Sequence, residues 1–250
     1  MGNKIKVILG DTNKIDGWIS IDRSGGDYQV SFDKNSKLYM FDNNAIDCVY
    51  SSHMIEHMSD NSVQNLINES FRVLKPGGVL RICAPDAMYY INSYSTKEKK
   101  AFYVDEYGVG SGRTYRDEVA LFVKGIIPRH NIKVPPESLE LHNLLCSMFC
   151  CYCDVPQYGH LFNKDLVEQK LKEGPDNFIQ WCASHYDFNR PAGHCNGFYA
   201  EKVMRMMKKA GFEKTFDMSF RNSHFEEIRT NKKIDLELRK NISFYAESIK

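Results

Sequence analysis

The stretch from Ala45 to Asp86 constrains the fold of this chain more than any other. Ile46-Asp47-Cys48-Val49-Tyr50 is short, apolar and β-favouring, as a strand buried in a parallel sheet would be. Ser59 and Asp60 then offer N-cap chemistry. From there Val63, Leu66, Ile67, Phe71 and Leu74 recur at three- and four-residue steps, which predicts a helix with one apolar face. Lys75-Pro76-Gly77-Gly78 is expected to stop that helix in a tight turn. Val79 to Ala84 is a second apolar strand, closed by Pro85-Asp86. Two parallel strands joined by one helix make a right-handed βαβ unit. Ligands of such sheets bind at the carboxyl ends of the strands. Ser51, Ser52, His53, Pro85 and Asp86 are therefore expected near a site.

The rest of the chain supplies further strands. Lys4 to Leu9 reads as a first strand, ending at Gly10-Asp11-Thr12. Gly17 to Asp22 is a second, ending in an acid followed by Arg23, and Tyr28 to Asp33 is a third. The gap from Gly10 to Asp22 is short for a crossover helix. Residues 87–190 read as a helical insertion. Met88 to Tyr94 continues as helix, and a helix opened by Pro135-Pro136-Glu137-Ser138 carries Leu141, Leu144, Leu145, Met148 and Phe149 on one face. Further helices are expected over Lys164 to Leu171 and from Pro175 through Trp181. After Gly193-His194, a helix with Val203, Met204 and Met207 inward ends at Ala210-Gly211-Phe212. Strands over 212–219 and 241–247 follow. The reading is one domain over 1–250 with the insertion at 87–190, where substrate selection is expected.

The run Asp47 to His57, then Phe71-Arg72-Val73-Leu74-Lys75-Pro76-Gly77-Gly78-Val79-Leu80-Arg81-Ile82, resembles class I S-adenosylmethionine-dependent methyltransferases. With "GWxxxD" and "SHxxEH" it is similar to a small bacterial-type branch of them. The closing helix, strand and Arg239-Ser243-Glu247 spacing resemble the same family's last elements. The resemblance implies an α/β, Rossmann-like, mostly parallel sheet with an antiparallel edge strand. It implies S-adenosylmethionine as cofactor, with Gly10, Asp11, Thr12, Asp22, Arg23, Asp33, Ser51, Ser52 and His53 around it. In that family the second strand's acid, here Asp22, accepts the ribose hydroxyls, and the third strand's acid, here Asp33, caps the adenine amino group. Thr12 stands where the family has a second glycine. That departure motivates an alternative, a non-catalytic binding module whose cofactor site has decayed.

Composition narrows the partners. A net charge of +1 gives no electrostatic case for nucleic acid. No apolar run approaches a membrane span, and the first residues lack a signal-peptide pattern. A cytoplasmic protein with reduced cysteines is expected. The acceptor is expected to be a small-molecule or glycan-type hydroxyl or amine, from the neutral charge and the family's habits. Where a hydroxyl is methylated, a histidine base suits the chemistry; His53 and His194 are the candidates. His53, Glu56 and His57 also spell a zinc pattern. They follow a strand directly and lack an evident third ligand, so Glu56 and His57 read as fixing the loop, and no metal is expected. Cys146, Cys150, Cys151 and Cys153 lack CxxC spacing and read as core thiols. Trp18 reads as core packing. His185, Asn189 and Arg190 are weaker site candidates, and Gly108, Gly110 and Gly112 lack the strand-to-helix context of a phosphate cradle.

Overall fold

The computed structural model describes residues 4–11, 14–98, 140–150, 162–186 and 194–250. Thr12, the glycines at 108, 110 and 112, Pro135 to Ser138, Cys151, Cys153, Asn189 and Arg190 lie outside them. The chain divides into two compact units, Met1–Pro85 with Phe198–Lys250, and Asp86–Gly197.

The first unit is built on a seven-stranded sheet of order β3-β2-β1-β4-β5-β7-β6. Its strands are β1 Lys6–Leu9, β2 Ile19–Asp22, β3 Tyr28–Gln29, β4 Ile46–Ser52, β5 Leu74–Pro85, β6 Lys214–Met218 and β7 Ser243–Ile249. Strands β3, β2, β1, β4 and β5 pair in parallel. β7 runs antiparallel to both β5 and β6. The fold is the expected Rossmann-like α/β sheet, and the reversed strand stands one place in from the edge, with β6 outside it. The third strand is shorter than the sequence suggests. Past Gln29 the chain leaves the sheet, and Asp33 belongs to a loop.

Helix α1, Asp60–Val73, connects β4 to β5. The Ser59 hydroxyl accepts from the Ser62 amide at 3.2 Å, as its cap position predicts. Val63, Leu66, Ile67 and Val73 are buried, each contributing roughly 1.5–3 kcal/mol. That outweighs anything helix propensity supplies. The helix ends differently from expectation. Leu74 is already extended and pairs with Ile46, and Lys75 to Gly78 form the irregular start of β5 rather than a separate turn. Helix Ala200–Ala210 precedes β6 and ends on Gly211 in the left-handed region (φ 111°), as a glycine C-cap should.

The sheet separates two apolar layers. Val7, Leu9, Val49, Leu80, Ile82, Phe244 and Ala246 pack with α1 and with Val203 and Met207. On the other face Ile8, Trp18, Cys48, Tyr50 and Val79 pack with Phe225, Ile228 and Ile234. No helix occurs among the described residues between β1 and β2. Trp18 fills that role as core: it is buried, and its Nε1 donates to Glu227 Oε1 at 2.7 Å.

The second unit is helical in its described parts: Ala87–Ser95, Leu141–Ser147, Lys164–Lys172 and Pro175–Ala183. Leu144, Leu145, Cys146, Phe149, Val167, Phe178, Ile179 and Cys182 are among its buried apolar residues. Phe149 and Phe178 meet edge to face at 5.9 Å. Cys146 and Cys150 are buried free thiols. No helix among the described residues is long and apolar enough to cross a membrane.

Arg81 of β5 is fully buried, with Nη2 2.5 Å from Asp235 Oδ2 and Nη1 3.3 Å from Glu247 Oε2. Burial alone would lower its pKa, but Asp235 and Glu247 more than reverse that. Arg81→Met leaves two carboxylates facing an apolar side chain. It is expected to destabilise by about 3–5 kcal/mol, read as the loss of unfolding free energy in urea.

Candidate functional site

In this strand order β1 stands between β2 and β4, so connections leave it in opposite directions. The crevice outside the carboxyl ends of β1 and β4 is the topological switch point, where open α/β sheets bind ligands. Gly10 is the first residue beyond β1. Its φ is 81°, and its amide donates to Ile21 O at 2.8 Å, holding the loop against β2. A Cβ at Gly10 would lie 2.5 Å from Met54 Sδ, so only glycine fits both the dihedral and the neighbour. The Ser51 hydroxyl faces the same sulfur at 3.6 Å. Asp11 accepts from Ser20 Oγ through its carbonyl at 2.7 Å.

Asp22 ends β2. Its Oδ1 accepts from the Ser24 amide at 2.7 Å and from Ser24 Oγ at 2.5 Å, an Asx turn that sets the carboxylate at the edge. Arg23 is exposed, and its carbonyl accepts from Gln29 Nε2 at 2.8 Å. Asp33 is exposed too, and its carboxyl is held below the usual range chiefly by the Asn35 amide. Beside it is a small hollow where the apolar Leu9, Val30, Phe32, Leu38 and Leu66 meet the polar Asp33, Ser36, Lys37, Asn65 and Glu69.

The wall of this pocket is fastened to one stripe of α1. Asn65 Nδ2 donates to the carbonyls of Asp33 at 3.0 Å and Ser36 at 2.7 Å. Glu69 Oε2 accepts from the Leu38 amide at 3.0 Å. Arg72 donates to Leu38 O and Phe41 O, both at 3.1 Å, and pairs with Glu69 at 2.8 Å. The Arg72 of the sequence motif is thus a loop clamp.

At the end of β4, Ser52 Oγ accepts from Arg239 Nη1 at 2.8 Å and faces Cys83 Sγ at 3.0 Å. Burial, then the Asp235 charge, pushes the Cys83 thiol up to about 11, so it stays protonated and unreactive at neutral pH. His53 follows in the left-handed region, φ 51°, a conformation a residue with a Cβ holds only when its surroundings insist. Its amide donates to Cys83 O at 2.9 Å. Its Nε2 lies 2.7 Å from Ser243 Oγ. Its Nδ1 lies 3.7 Å from Glu56 Oε1, and His57 Nε2 lies 3.9 Å from the same oxygen. Glu56 is buried between the two imidazoles, which suits a loop-fixing role.

The edge therefore brings together Gly10, Asp11, Ser51, Ser52 and His53, with Asp22 and Arg23 at the end of the adjoining β2. His194 belongs to the second unit, where its Nδ1 lies 3.3 Å from Met148 O. His185 is also there, its Nδ1 2.8 Å from Trp181 O. Sequence reasoning missed Met54 and what Arg239 and Ser243 hold. The Arg239-Ser243-Glu247 spacing was the available signal. Each member reaches back to β4, the turn after it, or β5: Arg239 to Ser52, Ser243 to His53, Glu247 to Arg81.

Residues 27–82 match a family model described as a methyltransferase domain. The comparison with curated proteins returned no match. Among solved structures, the chain is similar to an S-adenosylmethionine-dependent methyltransferase from Archaeoglobus fulgidus, at 11% identity and a TM-score of 0.42, over 100% of this chain and 87% of that one. It is similar to another from Mesorhizobium loti, at 12% identity and a TM-score of 0.38, over 99% and 92% of the two chains.

Gly10→Ala is expected to destabilise by about 1–3 kcal/mol, from the left-handed dihedral and the Met54 clash. A double-mutant cycle in urea should show a smaller penalty in a Met54→Ala background. Glu69 makes a pH prediction. Burial would raise its carboxyl, but Arg72 and the Leu38 amide hold it below the ordinary value. Its contribution is therefore present above about pH 4.3 and is lost as pH falls through the folded value. Glu69→Gln should cost stability at pH 7, and its difference from wild type should shrink at pH 3.

Proposed function

We propose that this chain is a class I S-adenosylmethionine-dependent methyltransferase that methylates a hydroxyl or amine of a small molecule or glycan; the methyltransferase-domain match over residues 27–82 and the sheet order support the reading. The observation that carries the reading is Gly10 at the switch point. A left-handed glycine, its amide tied to β2 and its Cα packed against Met54, turns the chain at the carboxyl end of β1, in the crevice where ligands of such sheets bind.

Bound S-adenosylmethionine supplies a methyl group already activated on a sulfonium. The chain's own residues then have to bind, align and exclude water, and positioning of this kind is worth about 7–11 kcal/mol. In the proposed arrangement Gly10 and Asp11 present backbone to the amino-acid part. Asp22 accepts from the ribose hydroxyls, its Ser24 turn fixing the carboxylate beforehand. Asp33 is the acid proposed to accept from the adenine amino group. Ser51 and Ser52 close the floor. His53 is the candidate base. Its Nε2 is bonded to Ser243 Oγ, so a proton leaving the acceptor reaches the ring by way of that hydroxyl, and Glu56 steadies the imidazolium that results. His194 is the other candidate, in the second unit.

Thermal unfolding with S-adenosylmethionine and S-adenosylhomocysteine tests the cofactor. Ligand at a hundred times its dissociation constant stabilises by about 2.7 kcal/mol, roughly 5–11 °C for a chain of this length. Asp22→Ala should abolish most of that shift. No shift in the wild-type protein at millimolar ligand overturns the reading, and an unchanged shift in Asp22→Ala overturns the ribose contact alone.

A further inference from the structure

The second face of the sheet carries donors with nothing to donate to. Ser52, Cys83 and Tyr245 stand side by side on one rung across β4, β5 and β7. Arg239 reaches this rung from the short helical turn Glu237–Arg239. A guanidinium carries five N–H donors. Among the described residues that of Arg239 donates to Ser52 Oγ alone, at 2.8 Å. Its Nε is buried without an acceptor, and no carboxylate among the described residues pairs with it. The Tyr245 hydroxyl is likewise buried without a partner, on a residue only 3% exposed.

The carboxylates of this face are committed elsewhere. Asp235 is held by Arg81, Tyr50 and the Arg221 amide. Glu247 is held by Arg81, Ser223 and His224. Arg221 and Lys240 turn to Glu237. Among the described residues Arg239 has no carboxylate partner; it is half-buried and stands at the carboxyl edge, whereas Arg229, also without one, donates to the Ser223 carbonyl, and Arg221, whose Nε is likewise unmet, pairs with Glu237. A buried polar group without a partner is costly, and a charged one more so. Donors left unmet in this way are matched by an oxyanion, which a guanidinium binds through parallel N–H bonds. The edge is the one where β7, running backwards, brings Ser243 beside His53.

We infer that Arg239, with the Tyr245 hydroxyl, forms an oxyanion subsite that binds a carboxylate or phosphate group of the methyl acceptor. This deepens the methyltransferase reading and rests on it: the substrate becomes an anionic small molecule or an acidic or phosphorylated sugar. A neutral acceptor leaves Arg239 and Tyr245 unmatched.

The test uses the full-length protein and needs no knowledge of the acceptor. Inorganic phosphate and acetate are titrated separately at constant ionic strength, with chloride as the control. The readouts are thermal unfolding and the Nε–H resonance of Arg239, assigned by its disappearance in Arg239→Lys. A saturable shift of that resonance with phosphate or acetate, absent with chloride, is the expected result. The anion giving the tighter curve identifies the acceptor's group. Tyr245→Phe should be at least as stable as wild type without anion, since it removes an unmet buried hydroxyl. It should weaken anion binding by about three- to tenfold. Arg239→Gln should lose the stabilisation by phosphate and acetate altogether, and Arg239→Lys should keep part of it. An Arg239 resonance that does not move at 50 mM of either anion, or equal stabilisation of wild type and Arg239→Gln, overturns the subsite. S-adenosylhomocysteine is titrated into the same wild-type sample. Its shift without an anion response sinks the subsite and leaves the methyltransferase reading standing, whereas an anion response without its shift overturns the methyltransferase reading, and with it the methyl acceptor as occupant, while the anion site itself stands.

Discussion

The first unit depends on a charge in its interior. Arg81 sits at the middle of β5, where Val79 and Cys83, two residues to either side, face the same apolar layer. Two carboxylates meet it from elements far away in sequence, Asp235 and Glu247, and the carbonyls of Ser219 and Asn222 accept its remaining protons at 3.1 and 2.9 Å. A buried guanidinium without such partners would be unstable by several kcal/mol. The network is therefore a specification. It ties the segment 219–235 and strand β7 to β5, because separating either leaves the guanidinium without part of its partners.

That arrangement sets the carboxyl edge. Glu247 fixes the register of β7 against β5, and the register places Ser243 opposite Pro85. Ser243 then lies within a hydrogen bond of His53, and Arg239, one turn earlier, reaches Ser52. The turn after β4 is thereby held from the far end of the chain. A histidine in a left-handed conformation needs such external support, since its own backbone preference opposes it.

Much of the fold could be read in the sequence because it rests on periodicity and local chemistry. The apolar steps of α1, the Ser59 cap, the Gly211 terminus and the runs of β1, β4 and β5 all appear as patterns within a dozen residues. What could not be read depends on contacts between distant residues. The loss of the third strand after Gln29 follows from the clamp of Asn65, Glu69 and Arg72 on loop 33–41, which no local pattern announces. The direct passage from α1 into β5 follows from Leu74 pairing with Ile46. Gly10, Asp22 and Ser52 were visible as residues at strand ends. Met54 under Gly10 and Ser243 on His53 were not, since each belongs to a partner's surroundings rather than to its own segment.

The position of β7 also bears on how the unit is assembled during synthesis. The ribosome releases β1 to β5 first, then the whole of residues 86–197, then β6 and finally β7. Yet β7 is an inner strand, and it carries one of the carboxylates that neutralise Arg81. Until it emerges, β5 presents an open edge and a cation without its full set of partners. Pairings spanning more than 150 residues are slow to form, because the intervening loop must be closed first. The nascent sheet is thus exposed for longest at the strand that bears its buried charge. An arginine there keeps that edge soluble while it waits, and becomes compatible with the core only when the last strand arrives.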